Sequence, residues 1–368
     1  MENLGMSNSV RSALPNSAFW CGKRVFLTGH TGFKGSWLAL WLHQLGAEIT
    51  GYALPPATTP NLHALAKVEQ TLTSRIGDLR DATALDAALS AARPDIILHL
   101  AAQALVSEGY ADPGGTYATN VTGTLNLLEA ARRQSSIKAI VVVTTDKCYE
   151  NRETDHAYIE TDPLGGYDPY SSSKACAEIL TASWRRSYFN QPEQTAIATA
   201  RAGNVIGGGD WAENRLVPDL LAAFAAGKTA LLRHPAAVRP WQHVLEPLAG
   251  YLLLAEQLTI DPSLATAWNF GPGPDDCVTT GTVAEKLAAL WPSPASWESQ
   301  TTTLPHEAGL LRLDASKAKQ KLGWQPRWRL DEALTQTVSW HLAWLHGAEM
   351  GECCRRQIEA YTSATLTT

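Results

Sequence analysis

Three short stretches bring together groups that could do chemistry. "VVVTTDKCYE", residues 141–150, runs from β-branched residues straight into Thr145, Asp146 and Lys147: a hydroxyl, a carboxylate and an ammonium in consecutive positions. "DPYSSSK", residues 168–174, spaces Tyr170 and Lys174 by four. "TGHTGFKG", residues 28–35, sets Gly29, Gly32 and Gly35 three apart. Taken singly each has an ordinary explanation, because Asp and Lys populate turns and an i,i+4 pair decorates many solvated helix faces. Their setting argues for more. Asp168 can cap a helix whose first residue is Pro169, which puts Tyr170 in the first turn and Lys174 one turn on, on the same face. A tyrosine with an ordinary pKa of about 10 is a poor base at neutral pH, and a nearby ammonium or a cationic nicotinamide favours its phenolate. Glycines between a strand and a helix allow a tight turn, let the backbone approach a pyrophosphate and leave that anion on the helix N-terminus.

The elements that must position these groups alternate along the chain. "KRVFLTG" reads as a strand, "FKGSWLALWLHQLG" as a helix and "EITGYAL" as a second strand, a βαβ unit. "SRIGDL", "DIILHLAA", "KAIVVVTT" and "TAIATARAGNV" continue as strands, with helical stretches near 81–92 and 116–134. Their apolar runs do not alternate, which suits strands covered on both faces: an α/β fold with a doubly wound parallel, Rossmann-like sheet and a smaller mixed α/β substrate-binding lobe. The expected divisions are a mobile leader at 1–18, a dinucleotide-binding domain at 19–206, a substrate lobe at 207–346 interleaved with the sheet domain, and a C-terminal tail at 347–368 with little pattern.

Composition narrows the class of function. At 368 residues and 45% hydrophobic, the chain can bury a large core. The net charge of -6 comes without a basic run, so a nucleic-acid partner is not expected. No apolar run approaches the roughly 20 residues that span a bilayer, and no membrane partner is expected. Cys21, Cys148, Cys176, Cys277, Cys353 and Cys354 lack metal-type or disulfide-framework spacing, which fits a reducing cytoplasm and no bound metal.

The i, i+3, i+6 glycine spacing, with Tyr170 and Lys174 behind it, resembles the extended branch of the short-chain dehydrogenase/reductase family. "GHTGFKGSW", "GYALPP", "TDKCYEN", "ARAGNVIGGGDW", "RPWQHVLEPLAGYL" and "LGWQPRW" together resemble its nucleotide-sugar 4,6-dehydratases, from about Phe19 to about Leu345. The resemblance implies conversion of CDP-glucose to CDP-4-keto-6-deoxyglucose; a nucleotide-sugar 4-epimerase or decarboxylase on the same scaffold is the alternative. Hydride transfer needs only the hydroxyl at the strand end, so Asp146 and Lys147 point to extra proton chemistry. The implied roles follow. Tyr170, aided by Lys174 and Thr145, accepts the C4 hydroxyl proton while NAD takes the hydride. Asp146 protonates the leaving C6 hydroxyl, a base removes the C5 proton, and the hydride returns to C6. The family usually has Asp-Glu where this chain has Asp146-Lys147. Lys147 either serves as base with a lowered pKa or stabilises the enolate with the base elsewhere.

For the cofactor, the resemblance implies Gly29, His30, Gly32, Phe33, Lys34 and Gly35 near the phosphates, with Asp78 and Leu79 at the adenine. It adds Ala101, Ala102 and Gln103 after the fourth strand and Asn120, which resembles the family's structural asparagine, besides Tyr170 and Lys174. No acid ends "EITGYAL", where NAD enzymes often place a carboxylate for the ribose, so NAD is the expected cofactor on resemblance and NADP stays open given His30 and Lys34. Asn204, Arg215, Arg239 and His243 are candidate substrate-side groups, Arg239 being suited to a diphosphate, with a packed structural histidine the equal alternative for His243. The apolar helices near 116–134 and 170–189 imply a homodimer or homotetramer.

Overall fold

Four apolar runs and one polar edge segment become parallel strands: β1 (Arg24–Thr28), β2 (Glu48–Ala53), β4 (Ile96–His99) and β5 (Ala139–Val143), with β3 (Thr73–Ile76) the exposed edge. The structure, a computed structural model, describes residues 14–191, 195–300 and 308–364. Strands Ala196–Ala202 and Ala267–Phe270 complete a seven-stranded sheet. Its order is β3, β2, β1, β4, β5, then the sixth strand and the seventh, with every pairing parallel. The order reverses between β1 and β4. In a Rossmann-like sheet that reversal opens a crevice at the carboxyl ends of the strands, where ligands bind.

The sheet is apolar on both faces because both are covered. Val25, Leu27, Leu98 and Val141 point to one side and pack with Trp37, Leu38 and Trp41 of helix Phe33–Gln44 and with Leu248 and Leu252 of helix Leu245–Leu258. Phe26, Ile97, Ile140 and Ile197 point to the other and pack with Leu85 and Leu89 of helix Ala82–Ala92 and Leu127 and Leu128 of helix Gly123–Ala131. Successive strand residues thus serve opposite layers, and neither face tolerates a polar run. A smaller lobe carries strands Asn204–Ile206, Val238–His243 and Cys277–Thr279 in one sheet, with its own core around Phe224, Trp241, Leu287 and Leu334. Strand Ala157–Tyr158 pairs with Arg312–Leu313, so the lobe and the sheet exchange segments.

Three segments differ from the sequence expectation. The helix expected over 116–134 begins at Pro113, widens into a π-turn at Ala118–Thr122 and resumes as Gly123–Ala131. Such a bulge inserts one residue and re-aims the side chains around it. The tail expected to carry little pattern holds helix Met350–Ser363, whose Met350, Cys354, Ile358 and Tyr361 make one buried stripe at helical spacing. Tyr361 packs edge-on against Trp41 and donates to the buried carboxylate of Glu246 at 2.7 Å. Of the leader, residues 1–13 lie outside the described residues, while Ser17–Trp20 forms a helical turn that buries Trp20. Among the described residues no helix is long and apolar enough to cross a membrane.

Glu246 accepts from the backbone N–H groups of Arg327 and Trp328 as well as from Tyr361, and burial still pushes its pKa up to about 7. Losing a hydrogen bond to such a group typically costs about 1.5–3 kcal/mol. Tyr361→Phe is expected to destabilise the fold by about that much in denaturant titration. A carboxyl raised in the folded state has its full stabilising share at acid pH and loses it as pH rises through the folded value. Without the phenol that value rises further, so the deficit is expected to be larger at pH 8 than at pH 6.

Candidate active site

At the carboxyl ends of the strands lies a cavity of about 620 Å³ that reaches from the glycine turn across the sheet to the smaller lobe. Its floor at one end is backbone. Gly29 has φ +80°, and a Cβ there would stand 2.7 Å from Ala101 N. A Cβ on Gly35 would stand 2.0 Å from Gly29 O. No L side chain fits either place, so the turn closes against the start of helix Phe33–Gln44, which Gly32 caps without a side chain. This cradle fits a dinucleotide pyrophosphate, which takes backbone N–H groups and the positive end of a helix.

Around it the expected cofactor residues divide. Gly29, Gly32, Phe33, Lys34, Gly35, Asp78, Leu79, Ala101 and Ala102 line the cavity. His30 does not. Its ring is buried beneath Gly51, where a Cβ would stand 2.5 Å from it, and its Nε2 pairs with Ser74 Oγ at 2.8 Å. Burial drives its pKa down to about 4, so it is a neutral spacer between β1 and its neighbours. The Asp78 carboxylate is held by Arg80 at 2.5 and 2.9 Å, which keeps it below the usual carboxylate range. Gln103 and Asn120 turn away from the cavity: the Gln103 amide bridges Leu105 O and Thr116 Oγ1, and Asn120 clamps the Gln103 backbone with bonds of 2.8 and 3.0 Å. Asn120 Nδ2 also reaches Ser173 Oγ at 2.8 Å, so the π-turn pins the loop after β4 to helix Pro169–Tyr188.

The catalytic candidates converge. Asp168 caps the helix through Ser171 N at 3.0 Å, and Tyr170 and Lys174 face the end of β5. Lys174 Nζ donates to Val143 O at 3.1 Å; Thr145 sits beside Tyr170 and favours its ionised form, and its Oγ1 donates to Asp146 Oδ1 at 3.0 Å. Burial pushes Tyr170 up to about 12, partly offset by Thr145, and pushes Lys174 down to about 8. Asp146 is 1% exposed, and its Oδ2 has no protein partner among the described residues. Burial pushes its pKa up, while Lys147, Thr145, Arg239 and Lys34 pull the other way. Lys147 lines the cavity beside it. Lys34 faces the same pocket, and burial, together with the charges of Arg215 and Lys174, brings it down to about 7.

On the far side, Asn204, Arg215 and Arg239 line the cavity. Arg215 is held by Asp210 at 2.9 Å, and Arg239 is buried, donating to Val238 O and Ala308 O. His243 is not among them: fully buried, it lies edge-on to Trp37 and Trp328, and its Nδ1 accepts from Leu245 N at 3.3 Å. Thr31, Ser107, Tyr110, Asp210 and Asn214 line the cavity without having been singled out from the sequence, although Thr31, in "TGHTGFKG", and Asp210, in "GGGDW", sit in stretches that drew notice. Among the described residues no cluster of His, Cys, Asp or Glu could hold a metal ion.

Comparison with known proteins agrees with this geometry. Residues 25–266 match the NAD dependent epimerase/dehydratase family. The chain is 48% identical over 352 residues to a CDP-glucose 4,6-dehydratase of Salmonella typhimurium, covering 94% of this chain and 98% of that one. Its fold matches that of a dTDP-glucose 4,6-dehydratase from Streptomyces venezuelae solved with NAD bound, at a TM-score of 0.76 and 23% identity over 89% of this chain and 99% of that one. A UDP-glucose 4-epimerase from Thermus thermophilus, in complex with NAD, matches at 0.75 and 25% identity, covering 86% and 98%.

Because a methyl group on Gly35 would overlap Gly29 O, Gly35→Ala must open the turn. NAD affinity by calorimetry is expected to fall at least about tenfold, and the thermal midpoint to fall with it, because the overlap is with backbone that cannot swing aside.

Proposed function

The chain belongs to the NAD dependent epimerase/dehydratase family, and from that premise we propose that it removes water from CDP-glucose to give CDP-4-keto-6-deoxyglucose. The observation that carries this reading is Asp146: a buried carboxyl with one oxygen free, immediately after the hydroxyl that serves Tyr170. An epimerase needs no acid there. The cytidine rests on the 48% identity to a CDP-glucose 4,6-dehydratase.

The glycine cradle, Leu79, Ala101 and Ala102 would hold the cofactor, with Lys174 and Tyr170 lining the same cavity. Bound there, NAD would supply a hydride acceptor for C4 of the sugar and a donor back to C6, so the reaction would have no net redox change. Tyr170 takes the C4 hydroxyl proton, with Thr145 and the Lys174 ammonium favouring its phenolate. Asp146, kept protonated more readily by burial, gives its proton to the departing C6 hydroxyl. Arg215, Arg239 and Asn204 face the diphosphate and sugar, guanidinium groups matching phosphate oxygens. Two amines flank Asp146 for the C5 proton: Lys147, next in the chain, and Lys34, held near neutrality. We assign Lys147 to the C5 side because it stands where the family usually has the Glu of its Asp-Glu pair and lines the cavity there. Exposed Tyr117, Ile179 and Tyr188 on helices Pro113–Tyr117 and Pro169–Tyr188 support pairing into a homodimer or homotetramer, and six free cysteines accord with the cytoplasm.

Incubation with CDP-glucose, read by mass spectrometry, is expected to show loss of one water; an unchanged mass with a C4 epimer would sink the dehydratase. Positioned acids contribute about 10²–10⁴ in rate, so Asp146→Asn is expected to lower kcat by that range. Because Asp146 acts after oxidation, that variant should still form enzyme-bound reduced cofactor, seen by its absorbance. Lys147→Met is expected to share this phenotype; if Lys34→Met shows it instead, the assignment to Lys147 fails.

A further inference from the structure

One buried carboxylate beside the site has no part in the chemistry above. Glu178 lies one turn beyond Lys174, on the same face of helix Pro169–Tyr188, and is 3% exposed. Its Oε1 accepts from Thr144 Oγ1 at 2.5 Å, and its Oε2 from Thr199 Oγ1 at 2.7 Å and Arg201 Nη2 at 2.8 Å. Arg201 is itself buried, and its other amine donates to Tyr149 Oη at 2.8 Å, which in turn donates to Asn269 at 2.7 Å. The carboxylate therefore joins the end of β5, the sixth strand and the helix at one point.

The register of these ties is orderly. Val143 O holds Lys174, Thr144 holds Glu178, and Thr145 faces Tyr170. Three consecutive residues at the strand end each meet a residue on one face of the helix. Only the middle tie involves no group that the reaction uses, and it is the one backed by a buried ion pair. Breaking such a pair on one side leaves an uncompensated buried charge, so the arrangement has no cheap intermediate position.

We propose that Glu178 is a positioning residue of this active site: it fixes the strand end bearing Thr145 and Asp146 against the helix bearing Tyr170 and Lys174, and supplies a negative charge that faces Lys174. The inference rests on the dehydratase reading for its assay. The groups facing Lys174 are Tyr170 and Glu178 on its own helix, Asp146 and Cys148 beyond β5, His99 on β4 and Lys34 on helix Phe33–Gln44, with Arg201 behind Glu178. Burial keeps His99 neutral, at about 3, and holds the Cys148 thiol protonated. Lys34 opposes the Lys174 charge. Burial also pushes Glu178 up, but Arg201 and the two hydroxyls more than offset it and hold the carboxyl below its ordinary range. Glu178 thus stays ionised and counteracts the desolvation of Lys174.

The test compares Glu178→Gln with the native protein in the pH dependence of CDP-glucose dehydration. Protonated Lys174 is the active form, so activity falls as pH rises through its pKa. Removing the carboxylate, and leaving Arg201 uncompensated, lowers that pKa. The basic limb is expected to move down by about one pH unit, with kcat lowered roughly tenfold at its optimum. In protein carrying isotope-labelled lysine, NMR titration of Lys174, assigned through Lys174→Met, should shift down in parallel without any substrate. An unmoved limb and an unmoved Lys174 titration overturn the proposal, even if kcat falls. Thr144→Val, which removes one tie and leaves the ion pair whole, covers the case of a Gln variant that does not fold: kcat is expected to drop roughly tenfold with the limb in place, and an unchanged kcat overturns the tether. Native protein that leaves CDP-glucose intact refutes the dehydratase reading instead, a result separate from any of these.

Discussion

The end of β5 buries Thr144, Thr145 and Asp146 in a row, and the rest of the site is arranged around the cost of doing so. A buried hydroxyl or carboxyl without a partner costs several kcal/mol in an apolar interior, on the order of a large share of a domain's net stability. The neighbouring elements answer group by group. Glu178 takes Thr144, Asp146 takes Thr145 beside Tyr170, and Asp146 keeps one oxygen that no atom of the described residues satisfies. That exception sits where the chemistry needs a proton donor. Where a fold leaves a single buried polar atom unsatisfied inside a cavity, it has stored the cost at the place where substrate can use it.

The same constraint explains why the scaffold is so thoroughly apolar. A parallel sheet covered on both faces has no polar side on which to rest a catalytic group, so functional residues collect where the strands stop. The switch between β1 and β4 provides the opening, and the contact of Gly29 with Ala101 sets its width. The glycines are there because backbone must meet backbone. The dinucleotide cradle and the strand-end cluster are thus two outcomes of one topology, brought together by helix Pro169–Tyr188 lying across the end of β5.

Much of this was legible in the chain. Apolar runs, the glycine turn, Asp168-Pro169 and the Tyr170/Lys174 spacing are local signals, and the structure assembles them as their spacing implies. What failed was sidedness. His30 and His243 lie in the right motifs, yet Gly51 and Ser74 draw one ring under the sheet, and Trp37 and Trp328 enclose the other. Those partners are distant in sequence, so nothing local tells a lining histidine from a packed one. Gln103 failed in the same way, whereas Asn120 takes the structural place its resemblance implied, although the π-turn that aims it at Gln103 and Ser173 leaves no mark in "TYATNVTGT". The helix at the C-terminus was a different kind of miss, since the stripe from Met350 to Tyr361 is periodic and was there to be read.

Glu178 shows how far spacing can be pushed. Tyr170, Lys174 and Glu178 repeat every four residues along one helix face, and a helix face that carries a proton acceptor, an ammonium and a carboxylate into a buried interface cannot leave the last of them unpaired. Arg201, reaching from the sixth strand, is the group that answers it. If the pair only filled space, an apolar residue at each position would serve as well, because buried ion pairs rarely add net stability over good packing. Its location one turn behind Lys174, with Thr144 as its third partner, gives the charge a task that an apolar pair could not perform: keeping an ammonium charged in a place that otherwise strips it of solvent.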